Sequence, residues 1–497
     1  MTSGRGRKVD TRRPALVPPR RAWVLLVCLG VAAVAPTYAA QSGPLVLVVV
    51  DTLRADHLPC YGYGRPTAPA MCALAADGVL FEHAYTPRTA TTPAIASMLT
   101  GLYPHRHGVR DLYLVLPQEM TTLAEVLRAA GYHTGGFVSS FVMIDDFSGL
   151  AQGFDEYDDD VRTPEASREN FERSAANTVD RALRWLARAG PHSFLFLHLI
   201  EPHGPYTPRT PYREQFALPA DGVALPEAIP PYQRIPGLQF VSDLIGRYDG
   251  EIATADAEIA RMVAFLRQQQ WYGGATIVLV ADHGESMGEE GQWFAHGHSV
   301  NDAEAHVPLI IKFAEGNDPP LPGTRQETEV VSLVDVFPTL LAAAGVGASG
   351  DGSGSADLRA VARGAPRGLP PPLTELRSGD GFLIVGHGRE CSVRWKVALS
   401  ELTPDLRIPD PALAAHWHTR TLSTRRFPPD STPECEATLV RGTGPLMTDL
   451  FTFRLHSAVA SRAAVQNPGR KAAFVAGRQS RLTEGDREAL RRLGYLQ

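Results

Sequence analysis

Leu45-Val46-Leu47-Val48-Val49-Val50-Asp51 is a run of six aliphatic residues that ends on a carboxylate. A short apolar run with no polar alternation reads as a strand covered on both faces, the setting of a parallel sheet. Working outward, residues 193–200, 275–280 and 307–313 repeat the pattern. Amphipathic stretches separate them. Residues 123–130 open on a capping box of Thr122 and Glu125 and stop at Gly131; residues 174–189 stop at Gly190; a third helical stretch covers roughly 249–268. Strands alternating with helices predict an α/β fold: a doubly wound, mainly parallel sheet with helices on both faces.

The remaining composition bounds the function. With 497 residues, 44% apolar and 21% charged, the chain is of ordinary globular make-up, which excludes collagen-like, coiled-coil and wholly disordered readings. Residues 1–40 hold seven of the 48 Lys/Arg and one of the 54 Asp/Glu, so the rest is net −12 where the whole chain is −6. A body that acidic is no nonspecific nucleic-acid binder. Arg12, Arg13, Arg20 and Arg21 precede a 14-residue apolar run, 22–35, followed by Ala39 and Ala40. That run is short for a spanning helix and suits a secretory signal peptide over residues 1–40, so an exported, periplasmic or secreted protein is expected, membrane-tethered if the segment stays uncleaved. A catalytic sheet domain is expected over 41–346. Residues 347–372, rich in Gly, Ser, Ala and Pro, read as a linker or loop. A small α+β subdomain over 373–497 follows, with strands near 382–385 and 391–399 and a closing helix at 483–493. Of Cys60, Cys72, Cys391 and Cys435, the preferred disulfide pair is Cys391 with Cys435; none has zinc-ligand spacing.

Ligands of open α/β sheets bind beyond the carboxyl ends of the strands. Three of the apolar runs end there on functional side chains: the first on Asp51, the run 275–280 on Asp282 and His283, and the run 193–200 on Glu201 and His203. Carboxylates and imidazole delivered to one edge predict a divalent metal site. In Thr91-Thr92-Pro93-Ala94-Ile95, Pro93 suits the first turn of a helix and puts Thr91 at its amino terminus, where backbone N–H groups favour an anion. A threonine hydroxyl is a weak nucleophile unless activated, and a divalent ion on Asp51, Asp282 and His283 would activate it. The bland reading of Thr91 is a helix cap.

The segments Val48-Val49-Val50-Asp51-Thr52-Leu53-Arg54-Ala55-Asp56-His57-Leu58, Thr91 to Gly101 continuing to Val109, Glu201-Pro202-His203-Gly204-Pro205-Tyr206, Asp282-His283-Gly284-Glu285, residues 332–341 and the closing Leu493-Gly494-Tyr495-Leu496 together resemble the sulfatase family of the alkaline phosphatase superfamily. The resemblance implies an alkaline-phosphatase-like fold, a tetrahedral oxyanion ester as substrate and a covalent intermediate at position 91. It implies Asp51, Thr91, Asp282 and His283 as metal ligands, with His203 and His296 contacting the oxyanion or leaving group and His298 close enough to compete.

The chain departs from the usual family pattern. Thr91 stands where Cys or Ser is oxidised to formylglycine, and its secondary alcohol cannot become that aldehyde, so no formylglycine is expected. Ile95 replaces the motif's arginine, Thr52 replaces the second Asp of an Asp-Asp pair, the Lys-x-His element is missing from Phe137-Val138-Ser139-Ser140-Phe141, and His283 stands in place of Asn. An imidazole ligand moves the expected ion from calcium toward zinc or manganese. The set resembles superfamily members that transfer phosphoryl groups, and Glu201, His203 and His296 are candidates for part of a second metal site. The expectation is a metal-dependent hydrolase of a sulfate or phosphate ester, phosphate mono- or diesters favoured. The alternatives are a catalytically silent binding protein and a phosphoethanolamine- or phosphoglycerol-type transferase.

Overall fold

The aliphatic run forms strand β1 (Leu45–Val50), every residue of it buried. Seven more strands complete its sheet: β2 (Val79–Tyr85), β3 (His133–Phe137), β4 (Glu156–Asp158), β5 (Ser193–Leu199), β6 (Thr276–Ala281), β7 (His306–Lys312) and β8 (Arg325–Ser332), in the order β8-β2-β7-β6-β1-β5-β3-β4. The structure is a computed structural model. It describes residues 43–112, 114–161, 171–315, 325–347, 355–369, 372–378, 381–387, 392–398, 417–425, 434–441 and 478–479.

Strand pairs are parallel except those of β7, which runs antiparallel to both β2 and β6. The run 307–313 is therefore a buried strand as expected, but not a parallel one. Burial on both faces selects the same aliphatic residues whichever way a strand points, so direction left no mark on the sequence. Register matters more for the site. Val50 lies level with Leu199 on one side and Ala281 on the other, so β1, β5 and β6 release their next residues at one edge.

The helices that frame the sheet are α1 (Thr91–Thr100), α2 (Leu123–Ala129), α3 (Ala175–Ala189), α4 (Val241–Gln268), α5 (Val336–Ala343) and α6 (Leu358–Ala362). They form two packed groups, α3 against α4, and α5 with α1, α2 and α6. The capping box of α2 is realised: the Glu125 N–H donates to Thr122 Oγ1 at 3.2 Å, and Glu125 Oε2 accepts the Thr122 N–H at 2.8 Å. In α3 the buried residues Ala175, Thr178, Val179, Ala182, Trp185 and Leu186 make one stripe, the 3.6-residue period of a helix on a core. Helix α4 begins at Val241, earlier than 249. Gly246 lies in these added turns, although an interior glycine weakens a helix. Here a Cβ at 246 would lie 2.6 Å from the carbonyl oxygen of Phe216, so the glycine serves a close approach of two backbones.

Part of the stretch read as a linker is packed structure. Leu358, Val361 and Ala362 of α6 join the main core, and buried Arg367 donates from Nε (2.8 Å) and Nη2 (3.1 Å) to the two oxygens of buried Asp335. Beyond it, Leu373–Ser378, Gly381–Gly386, Ser392–Ala398, Trp417–Arg425 and Glu434–Arg441 form a second, five-stranded sheet. Its first strand is seated on the loop after β2: Glu375 N–H donates to Pro87 O at 2.9 Å, and His387 stacks on Tyr85 with centroids 3.7 Å apart.

Cys60 and Cys72 are disulfide-bonded, with Cα atoms 5.4 Å apart. Cys391, half of the pair preferred from sequence, lies outside the described residues, as do residues 1–40 and the expected helix at 483–493. Among the described residues no helix is long and apolar enough to cross a membrane.

Candidate active site

Asp51 leaves β1 with its N–H still bonded to Leu199 O at 2.9 Å, so it continues the strand and is fully buried. Thr52 then turns the chain with φ +55°, a left-handed conformation that strains a β-branched residue. Its N–H reaches Asp282 Oδ1 (3.3 Å), and its carbonyl accepts from the Tyr248 hydroxyl (2.7 Å). Asp282 and His283 follow β6. The His283 Nδ1–H donates to Gly284 O at 2.9 Å, which turns Nε2 the other way. That atom lies 3.3 Å from Thr91 Oγ1, 3.5 Å from Asp282 Oδ2 and 3.7 Å from Asp51 Oδ1. Gly284 permits the turn, since a Cβ there would lie 2.0 Å from the Ala303 carbonyl oxygen.

The structure thus brings together Asp51, Thr91, Asp282 and His283 and adds a residue that sequence reasoning missed. His198 lies on β5 opposite Val49, and its Nε2 is 3.4 Å from Asp51 Oδ2. With a side-chain period of two, His198, Val49 and Asp51 share one sheet face. The signal was present as a lone imidazole inside Ser-Phe-Leu-Phe-Leu-His-Leu.

Both oxygens of Asp51, Oδ2 of Asp282 and both ring nitrogens of His198 are buried without a hydrogen-bond partner. One ligand atom from each of Asp51, His198 and Asp282 lies within 4.8 Å of the other two. Burial first, and the Asp282 charge second, push the Asp51 carboxyl well above the ordinary range. Facing carboxylates with orphaned oxygens and an imidazole turned toward them are costly alone and fit a divalent cation.

Thr91 is the first residue of α1 and 1% exposed. Ala90 is the N-cap and makes no side-chain bond, so the Thr91 hydroxyl is not used as a cap. Ile95, where the family motif carries arginine, is buried in the hydrophobic core.

His203 and His296 complete the site. Their rings are 5.1 Å apart, and that of His296 is 4.5 Å from His283. The Nδ1–H of His203 donates to Gly204 O (2.8 Å) and that of His296 to Glu285 Oε1 (2.9 Å). Burial holds His203 down to about 3 and His296 well below its ordinary value, so both imidazoles favour the neutral form, and the Nδ1 bond of His296 leaves its Nε2 as the basic nitrogen. Glu285, buried and also bonded to the Tyr206 hydroxyl at 2.7 Å, is a second residue to which the sequence reading gave no role. Two candidates are elsewhere. Glu201 accepts the Ala175 N–H at the start of α3 (2.9 Å), which ties up the carboxylate expected beside His203 and His296 for a second ion. His298 is exposed, with its backbone N–H on Glu304 Oε2 at 3.3 Å.

Glu304 anchors the loop that carries His296. It accepts from Ser286 Oγ (2.7 Å) and from the N–H groups of His298 and Ser299 (3.3 and 3.2 Å), and burial pushes its carboxyl up to about 8. The folded chain therefore keeps a proton that the unfolded chain releases from about 4.5 upward. Stability is expected to fall as pH rises from about 4.5 to about 8 and to level off above. Glu304→Gln should flatten that part of a thermal-unfolding pH profile; an unaltered slope would assign it to other groups.

The family model described as "Sulfatase" matches residues 44–346. The uncharacterized sulfatase YidJ of Escherichia coli K12 is 24% identical over 358 residues, 61% of this chain and 67% of that protein. Arylsulfatase K of Canis lupus familiaris is 24% identical over 351 residues, 61% of this chain and 63% of its own length. The chain thus spans about two thirds of the curated relatives it matches. Among solved structures, a phosphonate monoester hydrolase of Silicibacter pomeroyi superposes with a TM-score of 0.58 at 22% identity, covering 72% of this chain and 87% of that one. The alkaline-phosphatase-like architecture, the matched span and the strand-end cluster agree: this chain belongs to the sulfatase family of ester hydrolases.

Proposed function

We propose that the protein hydrolyses a sulfate or phosphate ester, with phosphate mono- and diesters preferred, through a covalent intermediate on Thr91. The observation that carries this is the uncapped Thr91 hydroxyl at the start of α1, 3.3 Å from His283 Nε2 and beside carboxylate oxygens with no partner. Asp51, Asp282, His283 and His198 would hold a divalent ion, zinc or manganese before calcium given the mixed N/O donors, and it would supply Lewis-acid stabilisation of charge on the oxyanion.

The chain's own groups do the rest. The N–H groups at the start of α1 face the transferring oxyanion. A bond forms from Thr91 Oγ1 to phosphorus or sulfur while the bond to the ester oxygen breaks. The hydroxyl proton passes to the free Nε2 of His296 and on to the leaving oxygen. Water then attacks the adduct, gives a proton to the same Nε2, and Thr91 is restored as the proton returns to its oxygen. Glu285 fixes the His296 tautomer and stabilises its transient charge; His203 orients the oxyanion. The phosphorus preference rests on Thr91, Ile95 and His283 together. Export is part of the proposal and rests on the basic-then-apolar pattern of residues 1–40.

Initial rates on matched aryl sulfate, phosphate and phosphodiester, with protein stripped and reloaded with zinc, manganese or calcium, test the reading. Turnover fastest on a phosphate ester with zinc or manganese is expected. A faster sulfate ester would reverse the preference, and no turnover of any would overturn the activity. Glu285→Gln is expected to lower kcat about 100-fold, with the deficit shrinking for better leaving groups. An equal deficit for all leaving groups would remove Glu285 from proton transfer.

A further inference from the structure

A buried arginine close to Thr91 in the chain has no part in the proposed reaction. Arg88 lies in the loop between β2 and α1, three residues before Thr91, and is the sole Lys or Arg between Thr86 and Gly101. It is 5% exposed, and its Nη1 is buried with no hydrogen-bond partner among the described residues. Its Nε–H makes a long bond, 3.3 Å, to Arg110 O. Asp111, Glu304 and Glu375 act on it by charge without an ion-pair contact, and Glu375, across the bridge from Arg88, is already held by His105 and by Arg110 Nη2 (3.0 Å). Buried Arg110, Arg367 and Arg54 each have a carboxylate in contact: Arg110 has Glu375 (3.0 Å). Arg367 has both oxygens of Asp335, and Arg54 has Asp56 (2.7 Å) and Glu289 (2.8 Å). An unpaired buried guanidinium costs several kcal/mol, so one that persists marks a place where an anion arrives from outside.

The loop that carries Arg88 is crossed by the one that carries His296. Thr89 Oγ1 donates to Ser299 O at 2.9 Å, a Cβ at Gly297 would lie 3.4 Å from Thr89 O, and burial first, with the Arg88 charge second, lowers the His298 imidazole from its ordinary value. Arg88 and exposed His298 thus lie on two loops that touch at Thr89, Gly297 and Ser299, one leading to Thr91 and the other carrying His296.

We propose that Arg88, with His298 on the loop that touches its own, is a specificity-determining subsite for a second anionic group, a carboxylate or another oxyanion, on the organic part of the ester. This rests on the reading of the site as an ester hydrolase and narrows its substrates to esters that carry a further negative charge. Thr91 and the ion would take the reacting oxyanion, while the Arg88 fork, suited to bidentate carboxylate or phosphate, would take the other.

Equilibrium binding tests this without turnover. Phenylphosphonate and 3-carboxyphenylphosphonate, which cannot be hydrolysed, are titrated calorimetrically into zinc-loaded protein, wild type and Arg88→Met, with the matching phenyl and 3-carboxyphenyl phosphates and sulfates assayed alongside. At least tenfold tighter binding of the carboxylated phosphonate to wild type, reduced to parity in Arg88→Met and partly kept in Arg88→Lys, is the expected result. Equal affinities in wild type, or no binding of either compound, overturn the subsite; loss of ester turnover with the affinity gap intact overturns the hydrolase reading instead. Thermal unfolding separates a structural role. Removing an orphaned charge should leave the Tm of Arg88→Met equal or higher, and a lower Tm with an unchanged affinity gap would make Arg88 a packing residue.

Discussion

Thr91→Ala is expected to leave a folded protein whose kcat on its best ester is lower by about 10⁴-fold or more, the size of effect seen when a nucleophile is deleted. The substitution is small in structural terms. Alanine suits the first turn of α1, the hydroxyl caps nothing, and Ala90 keeps its place as N-cap. What disappears is the one oxygen placed both at the positive end of a helix and 3.3 Å from His283 Nε2. Thr91→Ser, which keeps that oxygen, should retain activity within about tenfold. Intact mass after a rapid acid quench should show an adduct in wild type and Thr91→Ser and none in Thr91→Ala. Full turnover by the alanine variant would move the chemistry to a direct attack by water and remove Thr91 from it.

Metal removal should have the second largest effect. Asp51 and Asp282 are buried with three oxygens unpartnered between them, so in the stripped protein burial and mutual repulsion make two facing carboxyl groups costly. At free ion about 1,000-fold above Kd, binding to the folded state alone adds about 4 kcal/mol. Chelation is expected to lower Tm by the corresponding amount, and reloading with zinc or manganese to restore it. Asp51→Asn should abolish the response while making the stripped protein more stable than stripped wild type, because one of two like charges is gone. An Asp51→Asn protein that still gains stability from the ion would place the binding site elsewhere.

The legible parts of this fold were those where a residue's chemistry is at odds with its surroundings or matches a short-range rule. Strand β1 and the Thr122–Glu125 box are local statements, and the structure repeats them nearly residue for residue. Asp51, Asp282 and His283 stood out because charged groups followed apolar runs. His198 carries the same contradiction inside a run, two residues from its end, and escaped because attention went to strand ends. Glu285 and Arg88 were harder still. Their meaning lies in partners far along the chain: Glu285 has Tyr206, and Arg88 lacks a carboxylate that no local pattern announces as missing. The inverted β7 and the packed α6 belong to the same class, since neither strand direction nor the docking of a Gly/Pro-rich segment is written in the neighbouring residues.

The central place of β1 also says something about when the site comes into being. Its partners β5 and β6 lie on either side of it, yet β6 ends at Ala281, nearly half the chain later. A strand made first that must wait for both neighbours closes long loops, and such contacts form late. No amino-terminal fragment ending before residue 282 contains the ligand set of Asp51, His198 and Asp282. An ion held by this set would thus report that β1, β5 and β6 have joined: only a chain that has already brought residue 51 to residue 282 could take it up.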